Sequence, residues 1–492
     1  MKRRRTATGL DSRSTRLKVW NLRLDAVAAT LGQPIPPPAT SRAALQRRIA
    51  LVIDPCDPGQ IWLTLAALSA VLPDDSMVST LTQQTRSSGT PALLDALDTL
   101  TTRKDLTHRI RIVTDTVLVD VHHTAQHDIA TGIQRVARQT AQRWHARHGC
   151  TLVAWTTDFR ALRTLNDEET TRMLGEEARP IAIHSVDIVV PWHSTFLTPE
   201  LAVEPARTAR QQALVRHSEN RTGAIIFDLV PIMVAETAYG DMPAAFASHL
   251  AVLGGEDHLA AISEATAVEY RGWWAGLGPT PKVIPQINVV PLAVEAGLPT
   301  AVDMTKARER FVVGDLPLVL CVGTHEPRKN HLAVLHAAEK LWREGVQFSL
   351  TFVSGRSWAS DDVYRTITQM QANGRPVETA SDIDDDLLWA AYRVAYCTVF
   401  PSFEEGYGLP VAESLAVGTP VVTSGYGSMR EIASSGGAVF VDPRDDASVA
   451  EGLRNVLTSP SLYIRLRREA RAYQPRTWDQ YADQIWQLFA KE

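Results

Sequence analysis

Two cations and two carboxylates stand in turns that each join an apolar run to a stretch of helical period. In "LPLVLCVGTHEPRKNHLAVLHAAEKLW", residues 316–342, the apolar run ends at Gly323 and Pro327 marks the turn. Leu335, Ala338 and Trp342 then recur on one helical face, so a helix beginning near His331 sets Arg328 and Lys329 at its entrance. A helix N-terminus and two adjacent cations all favour an anion, phosphate above all. Taken alone, the pair also fits a solvated doublet ahead of a surface helix.

The stretch "FPSFEEGYGLPVAESLAVGTPVVTS", residues 400–424, repeats the device with acids. Gly406 and Gly408, on either side of Tyr407, let the main chain approach a ligand with no Cβ in the way, and the amides around Leu409 and Val411 face the same space. Pro410 suits the first turn of a helix, where its missing N–H would have no partner, and Gly418 and Pro420 end that helix. Glu405 and Glu413 cannot favour a phosphate. Sugar hydroxyls are their natural partners, because one ionised carboxylate accepts strongly and can grip two neighbouring hydroxyls. A diphosphate flanked by a sugar and a ribose suits both turns, which describes a nucleotide sugar. The plain alternative for Glu413 is an ordinary first-turn acid favoured by the helix dipole.

Three zones must position these groups. Residues 1–105 alternate Pro, Ser and Thr breaks with short segments of helical period, which predicts a mostly helical extension. From residue 106 to 300, "RIRIVTDTVLVDV", "TLVAWTT", "SVDIVVPW", "TGAIIFDLVP", "HLAAIS" and "KVIPQINVVPL" alternate with helical stretches, the pattern of βαβ units and a mainly parallel sheet. The pattern restarts over 301–475 with "LPLVLCVGT", "VQFSLTFVSG", "RVAYCTVFPS", "TPVVTSG" and "GAVFVDP", and residues 476–492 form a closing amphipathic helix. Two doubly wound α/β domains leave a cleft beyond the carboxyl ends of their strands, where such sheets bind ligands.

Composition sets limits. A formal net charge of −5 over 492 residues, with 45% hydrophobic residues, is that of a globular chain with no basic face for nucleic acid. Cys56, Cys150, Cys321 and Cys397 lie far apart and form no C-x-x-C, which predicts a reduced, cytoplasmic protein. The run "IWLTLAALSAVL" is far short of the roughly 20 residues needed to span a bilayer. The basic amino-terminal "MKRRR" reads as a solvated tail or as a weak electrostatic hold on the inner membrane face. In "SDIDDDLL" the aspartates precede an amphipathic helix and read as caps rather than metal ligands.

"CVGTHEPRKNH", the Glu405–Glu413 stretch, "GSMREIA" and "GGAVFVDPRDDASVAEGL", in that order, resemble the donor-binding domain of the retaining family 4 glycosyltransferases of GT-B fold, with Glu405 and Glu413 in the place of the family's E-x7-E pair. "DVHHTAQHDIATGIQRVARQT", "IIFDLVPI", "AAISEAT" and "INVVPLAVEAG" resemble its acceptor-side domain less sharply. The resemblance implies two Rossmann-like domains facing a cleft and retaining transfer of a hexose such as mannose or rhamnose. The donor is a nucleotide sugar and the acceptor a saccharide or lipid-linked saccharide of bacterial-type polysaccharide biosynthesis. Lys329 and Arg328 would neutralise the diphosphate, Glu405 would bind donor-sugar hydroxyls, and Glu413 would bind the ribose. Gly323, Thr324, Gly406, Tyr407, Gly408, Leu409 and Val411 would line the donor, with Gly132 approaching from across the cleft. Asp228, Ser263 and His193 are the acceptor-side candidates.

Two departures stand out. Phe227 occupies a position where the family often has histidine, so Asp228 or a nearby His122, His123 or His193 would take over its contact, and Ala293 replaces a hinge glycine. Metal and cofactor are not needed, since fixed cations and amides supply the electrostatics. A nucleotide-sugar epimerase or hydrolase on this fold, or a non-catalytic nucleotide-sugar or glycan binder, are the alternatives.

Overall fold

The computed structural model describes residues 7–127, 131–175, 186–235, 240–278, 285–353, 360–381 and 383–490. The amino-terminal zone is helical as expected, with helices Ala7–Thr30, Arg42–Val52, Pro58–Ser69, Asp75–Ser88 and Pro91–Leu100. Asp57 starts the third of these by accepting from the amides of Gly59 and Gln60, and its residues from Ile61 to Ser69 are all buried. The run "IWLTLAALSAVL" is therefore an inner core helix. Trp20, Leu24, Trp62 and Leu63 share one hydrophobic cluster with Leu118, Trp155, Val189 and Phe196 of the first sheet. The buried Arg23 reinforces this seam by donating to the carbonyls of Leu68, Asp105 and His108.

The first sheet has nine strands: β1 (Ile110–Val113), β2 (Val117–Asp120), β3 (Thr151–Trp155), β4 (Leu162–Thr164), β5 (Ile188–Pro191), β6 (Thr195–Thr198), β7 (Arg221–Ile226), β8 (His258–Ala261) and β9 (Gln286–Val289). Their order is β1-β5-β4-β3-β2-β6-β7-β8-β9, with only β4 antiparallel to its neighbours. The expected single run "RIRIVTDTVLVDV" is two strands. Asp115 takes a left-handed turn, φ 53°, which sends β1 to the sheet edge and β2 to its centre.

The second sheet is wholly parallel: β10 (Leu318–Val322), β11 (Ser349–Val353), β12 (Val377–Ala380), β13 (Cys397–Phe400), β14 (Val421–Ser424) and β15 (Ala438–Val441), in the order β12-β11-β10-β13-β14-β15. This is the doubly wound arrangement whose strand order reverses between β10 and β13, the place where ligands bind in such sheets. The closing helix Trp478–Ala490 returns to the first sheet. There Trp144 donates its indole N–H to Ala482 at 2.9 Å, Arg143 pairs with Asp479 at 2.6 Å, and the Phe489 ring lies so close to Gly223 that an added Cβ would sit 2.8 Å from it.

Candidate active site

The two turns singled out in the sequence meet at the β10/β13 reversal. After β10, a 3₁₀ turn over Pro327–Lys329 leads through Asn330, in the left-handed region, into the helix His331–Arg343. After β13, the loop runs to Gly408, whose φ of 99° starts the helix Leu409–Ala416 with Pro410 in its first turn. The loops are stitched together: the carbonyl of Arg328 accepts from the Phe403 amide at 2.8 Å and from the Ser402 hydroxyl at 3.0 Å.

Three donors converge on one oxygen of Glu405. Lys329 Nζ is 2.5 Å from Oε1, the Ser402 hydroxyl 2.7 Å and an Arg328 terminal nitrogen 2.9 Å. Burial disfavours the Glu405 anion, but Arg328 and Lys329 outweigh it and hold the carboxyl at about 2. Burial also pulls Lys329 below its ordinary value, against the attraction of Glu405. The Lys329 ammonium lies 4.9 Å from the centre of the Phe400 ring, a cation–π contact within the same pocket. Arg328 also donates to the Glu404 carbonyl at 3.2 Å and, through Nε, to Glu326 at 2.9 Å, and Glu326 receives the Thr324 hydroxyl. Gly323, φ 141°, ends β10 in a conformation only glycine adopts freely, and a Cβ there would lie 3.9 Å from the Lys329 stem. Beneath the turn, His325 and His331 face each other Nδ1 to Nδ1 at 2.7 Å, and burial lowers them to about 4 and about 3, so they share one proton as neutral rings.

Glu413 lies one helical turn into the second element. Tyr392 donates to its Oε2 at 2.8 Å, and Arg135, from the first domain, donates to Oε1 at 3.1 Å. The first domain closes over this site through several contacts. A Cβ on Gly406 would meet the Phe227 carbonyl at 2.8 Å and Asp228 Cβ at 2.9 Å, and one on Gly132 would touch Leu409 at 3.4 Å. Glu431, from "GSMREIA", caps the helix Glu264–Gly276 by accepting from the amides of Glu264 and Ala265. Glu269 of that helix is hydrogen-bonded to Glu404 across the seam, and burial, helped by Glu404 and Asp228, raises it to about 8.

Not every expected residue takes the expected place. The Val411 amide donates to Gly408 O at 2.9 Å and its side chain is fully buried, so its N–H turns into the helix rather than toward a ligand. Tyr407 sends its hydroxyl to Leu292 O at 3.0 Å, anchoring the stretch between the domains. Ser263 caps the helix Glu264–Gly276 and donates to Gly406 O at 2.7 Å, which makes it an interdomain fastener. Asp228 stands half-buried at the carboxyl end of β7 beside Arg328 and Glu405, and burial raises its carboxyl. Phe227 is buried in the apolar core, and its carbonyl accepts from Thr266. His193 needs correction. It is an exposed residue in a left-handed turn between β5 and β6, at the amino end of β6 rather than at the carboxyl end expected of an acceptor-side group. Asp384 accepts from Leu387 N, the capping role read from "SDIDDDLL".

Sequence reasoning missed a buried charge cluster at the matching reversal of the first sheet, where β2 lies between β3 and β6. Arg207, with no exposed surface, holds Asp120 at 2.9 Å and Glu200 at 3.0 Å. Glu200 in turn accepts from the His123 and Thr124 amides. His122 accepts from Trp155 N and is lowered to about 4 by burial. His123 pairs with Glu204 at 2.6 Å; burial opposes its charge, but Glu204 and Glu200 outweigh that and raise it. No signal in one sequence marks Arg207, since Asp120, at the end of β2, is brought to it only by the fold.

Comparison with known proteins bears most directly on the second domain. Residues 303–473 match the family model described as "Glycosyl transferases group 1". The match takes in the whole of the second sheet, so this segment resembles a group 1 glycosyltransferase domain. Its Lys329, Glu405 and Glu413 all fall within the matched region. The serotype-specific mannosyltransferase WbdA of Escherichia coli is 26% identical over 352 residues, covering 68% of this chain and 41% of that protein. The O-antigen chain mannosyltransferase B of Escherichia coli is 34% identical over 139 residues, covering 28% and 36%. The chain thus spans about two-fifths of the length of the curated relatives it matches. Among solved structures, Anabaena Alr3699/HepE in complex with UDP and glucose has a TM-score of 0.58 at 12% identity, covering 77% of this chain and all of that one. Sucrose-phosphate synthase from Thermosynechococcus elongatus has a TM-score of 0.56 at 18% identity, covering 77% and 98%. At these identities the likeness is one of fold, the two-domain GT-B arrangement. Among the described residues, no helix of this chain is long and apolar enough to cross a membrane.

Proposed function

We propose that the chain is a retaining glycosyltransferase that moves a hexose, mannose being favoured by the named relatives, from a nucleotide sugar to a saccharide or lipid-linked saccharide in bacterial polysaccharide assembly. The observation that carries this reading is the buried Lys329–Glu405–Arg328 group, set at the sheet reversal of a group 1 domain. The donor diphosphate lies against Lys329, Arg328 and the N-terminus of the helix His331–Arg343, displacing part of their contact with Glu405. Its sugar hydroxyls bond the Glu405 carboxylate, whose cationic neighbours already keep it ionised. As the bond from anomeric carbon to phosphate oxygen lengthens, negative charge grows on the leaving diphosphate and the two cations stabilise it. The acceptor hydroxyl attacks from the side of the departing phosphate, to which its proton passes, so configuration is kept. Asp228 and the His123–Glu204 pair, at the carboxyl ends of β7, β2 and β6, supply polar groups on the acceptor wall. Fixed cations do the work without a metal, and contact with the inner membrane face would bring lipid-linked acceptors to the cleft.

Glu405→Gln and Lys329→Ala test the reading. Each is expected to lower kcat/KM by about 10² or more, the scale for one preorganised transition-state contact. An unchanged transfer rate in either variant would remove that residue from the mechanism.

A further inference from the structure

Arg135 is a first-domain residue whose only described side-chain hydrogen bond is to a second-domain carboxylate. It lies in the first turn of the helix Gly132–His148, begun by the Thr131–Gln134 capping box, and it spans the cleft to reach Glu413 Oε1 at 3.1 Å. The carboxylate it meets is nearly enclosed, with 8% of the side chain exposed, whereas Arg135 remains 34% exposed. The two partners come from opposite directions: Tyr392, from the helix Asp385–Val394, fixes Oε2, and Arg135 fixes Oε1. Each carboxylate oxygen can accept more than one hydrogen bond, so both can also take a hydroxyl.

We propose that Arg135 is a positioning residue of the donor site, reaching across the cleft to hold the Glu413 carboxylate in place for the ribose hydroxyls, so that ribose is gripped only when the domains are closed. The proposal rests on the nucleotide-sugar reading above. Its physical basis is that an enclosed carboxyl favours the neutral form unless charges oppose it, and a neutral carboxyl grips a diol poorly. The charged and titratable groups facing Glu413 are Arg135, Tyr392 and Asp385. Arg135 alone among them is a cation, and burial already raises Glu413 in spite of it. Opening the cleft withdraws Arg135 and leaves Glu413 a weaker partner for ribose, so domain closure and donor affinity are coupled through one side chain.

The test uses GDP and UDP, whichever the wild-type chain binds more tightly, beside its 2′,3′-dideoxy analogue. Arg135→Gln is expected to weaken the ribonucleotide about tenfold or more and leave the dideoxy analogue unchanged, since the latter has no diol to present to Glu413. Arg135→Lys is expected to recover part of the loss, and Tyr392→Phe to show the same selectivity from the other oxygen. Equal losses for both ligands in Arg135→Gln, or no loss for either, would overturn this inference alone. Failure of the wild-type chain to bind GDP or UDP would overturn this inference, and failure to bind dTDP as well would overturn the nucleotide-sugar reading with it.

Discussion

Glu405, buried, and Glu269, half-buried, are acids with opposite charge states, and each makes its own demand on pH. Glu405, held at about 2 by Arg328 and Lys329, contributes stability that is complete above its unfolded value near 4.5 and is lost as pH falls toward 2. Glu269 is raised to about 8, so its contribution runs the other way: it is complete below about 4.5 and is lost as pH rises through 8. Because Glu269 shares its proton with Glu404 of the other domain, raising the pH should loosen the seam itself. Thermal midpoints measured between pH 5 and 9 should fall with rising pH in the wild-type chain and fall less steeply in Glu269→Gln, which keeps a hydrogen-bond donor in place. Parallel slopes for the two proteins would show that Glu269 is not the titrating group. At this scale Arg328, Lys329, Glu405 and Glu413 were legible in the sequence because each stands in a turn whose glycines and prolines mark it. Arg135, Arg207 and Glu269 were not, since each is defined by a distant partner, Glu413, Asp120 and Glu404 respectively.

The elements explain why the glycines are where they are. Gly406 sits under the Phe227 carbonyl and Asp228, with no room for a methyl group, so the second domain's loop can close only as glycine. Gly406→Ala is expected to wedge the seam open, lowering kcat/KM by about tenfold or more while each sheet stays folded, with a larger radius of gyration by small-angle scattering. Unchanged dimensions and rate would mean that the described contact is not held in solution. The apolar strands β7, β10, β11 and β13 could be read directly, because a parallel strand covered on both faces is a nearly continuous hydrophobic run. β4, β6 and β12 escaped notice: β4 is three residues long, β6 begins and ends with threonine, and β12 has Glu378 and Thr379 at its centre. The break at Asp115 was also hidden, since a single left-handed residue splits an otherwise strand-like run. Tyr407 and Ser263 were legible as site residues but not as fasteners, because the sequence gives no view of the opposing domain.

Across the whole molecule, the helical layer over residues 7–100 and the first sheet share one core, and the closing helix ties the chain's end back to that sheet. Trp62, with no exposed surface, is central to the shared cluster, and Trp62→Ala is expected to cost about 3–5 kcal/mol by the usual scale for emptying an aromatic site. Removing residues 1–105 should strip the cover from β1, β5 and Phe196 and leave an insoluble chain. A soluble truncated protein with an unchanged unfolding transition would contradict that shared core. The most direct test of the account as a whole is release of free nucleotide diphosphate from GDP, UDP and dTDP sugars, with and without simple acceptor glycosides, beside Glu405→Gln. Release is expected to require one donor and an acceptor together and to fall about 10² in the variant. Equal release without acceptor, undiminished in Glu405→Gln, would contradict it.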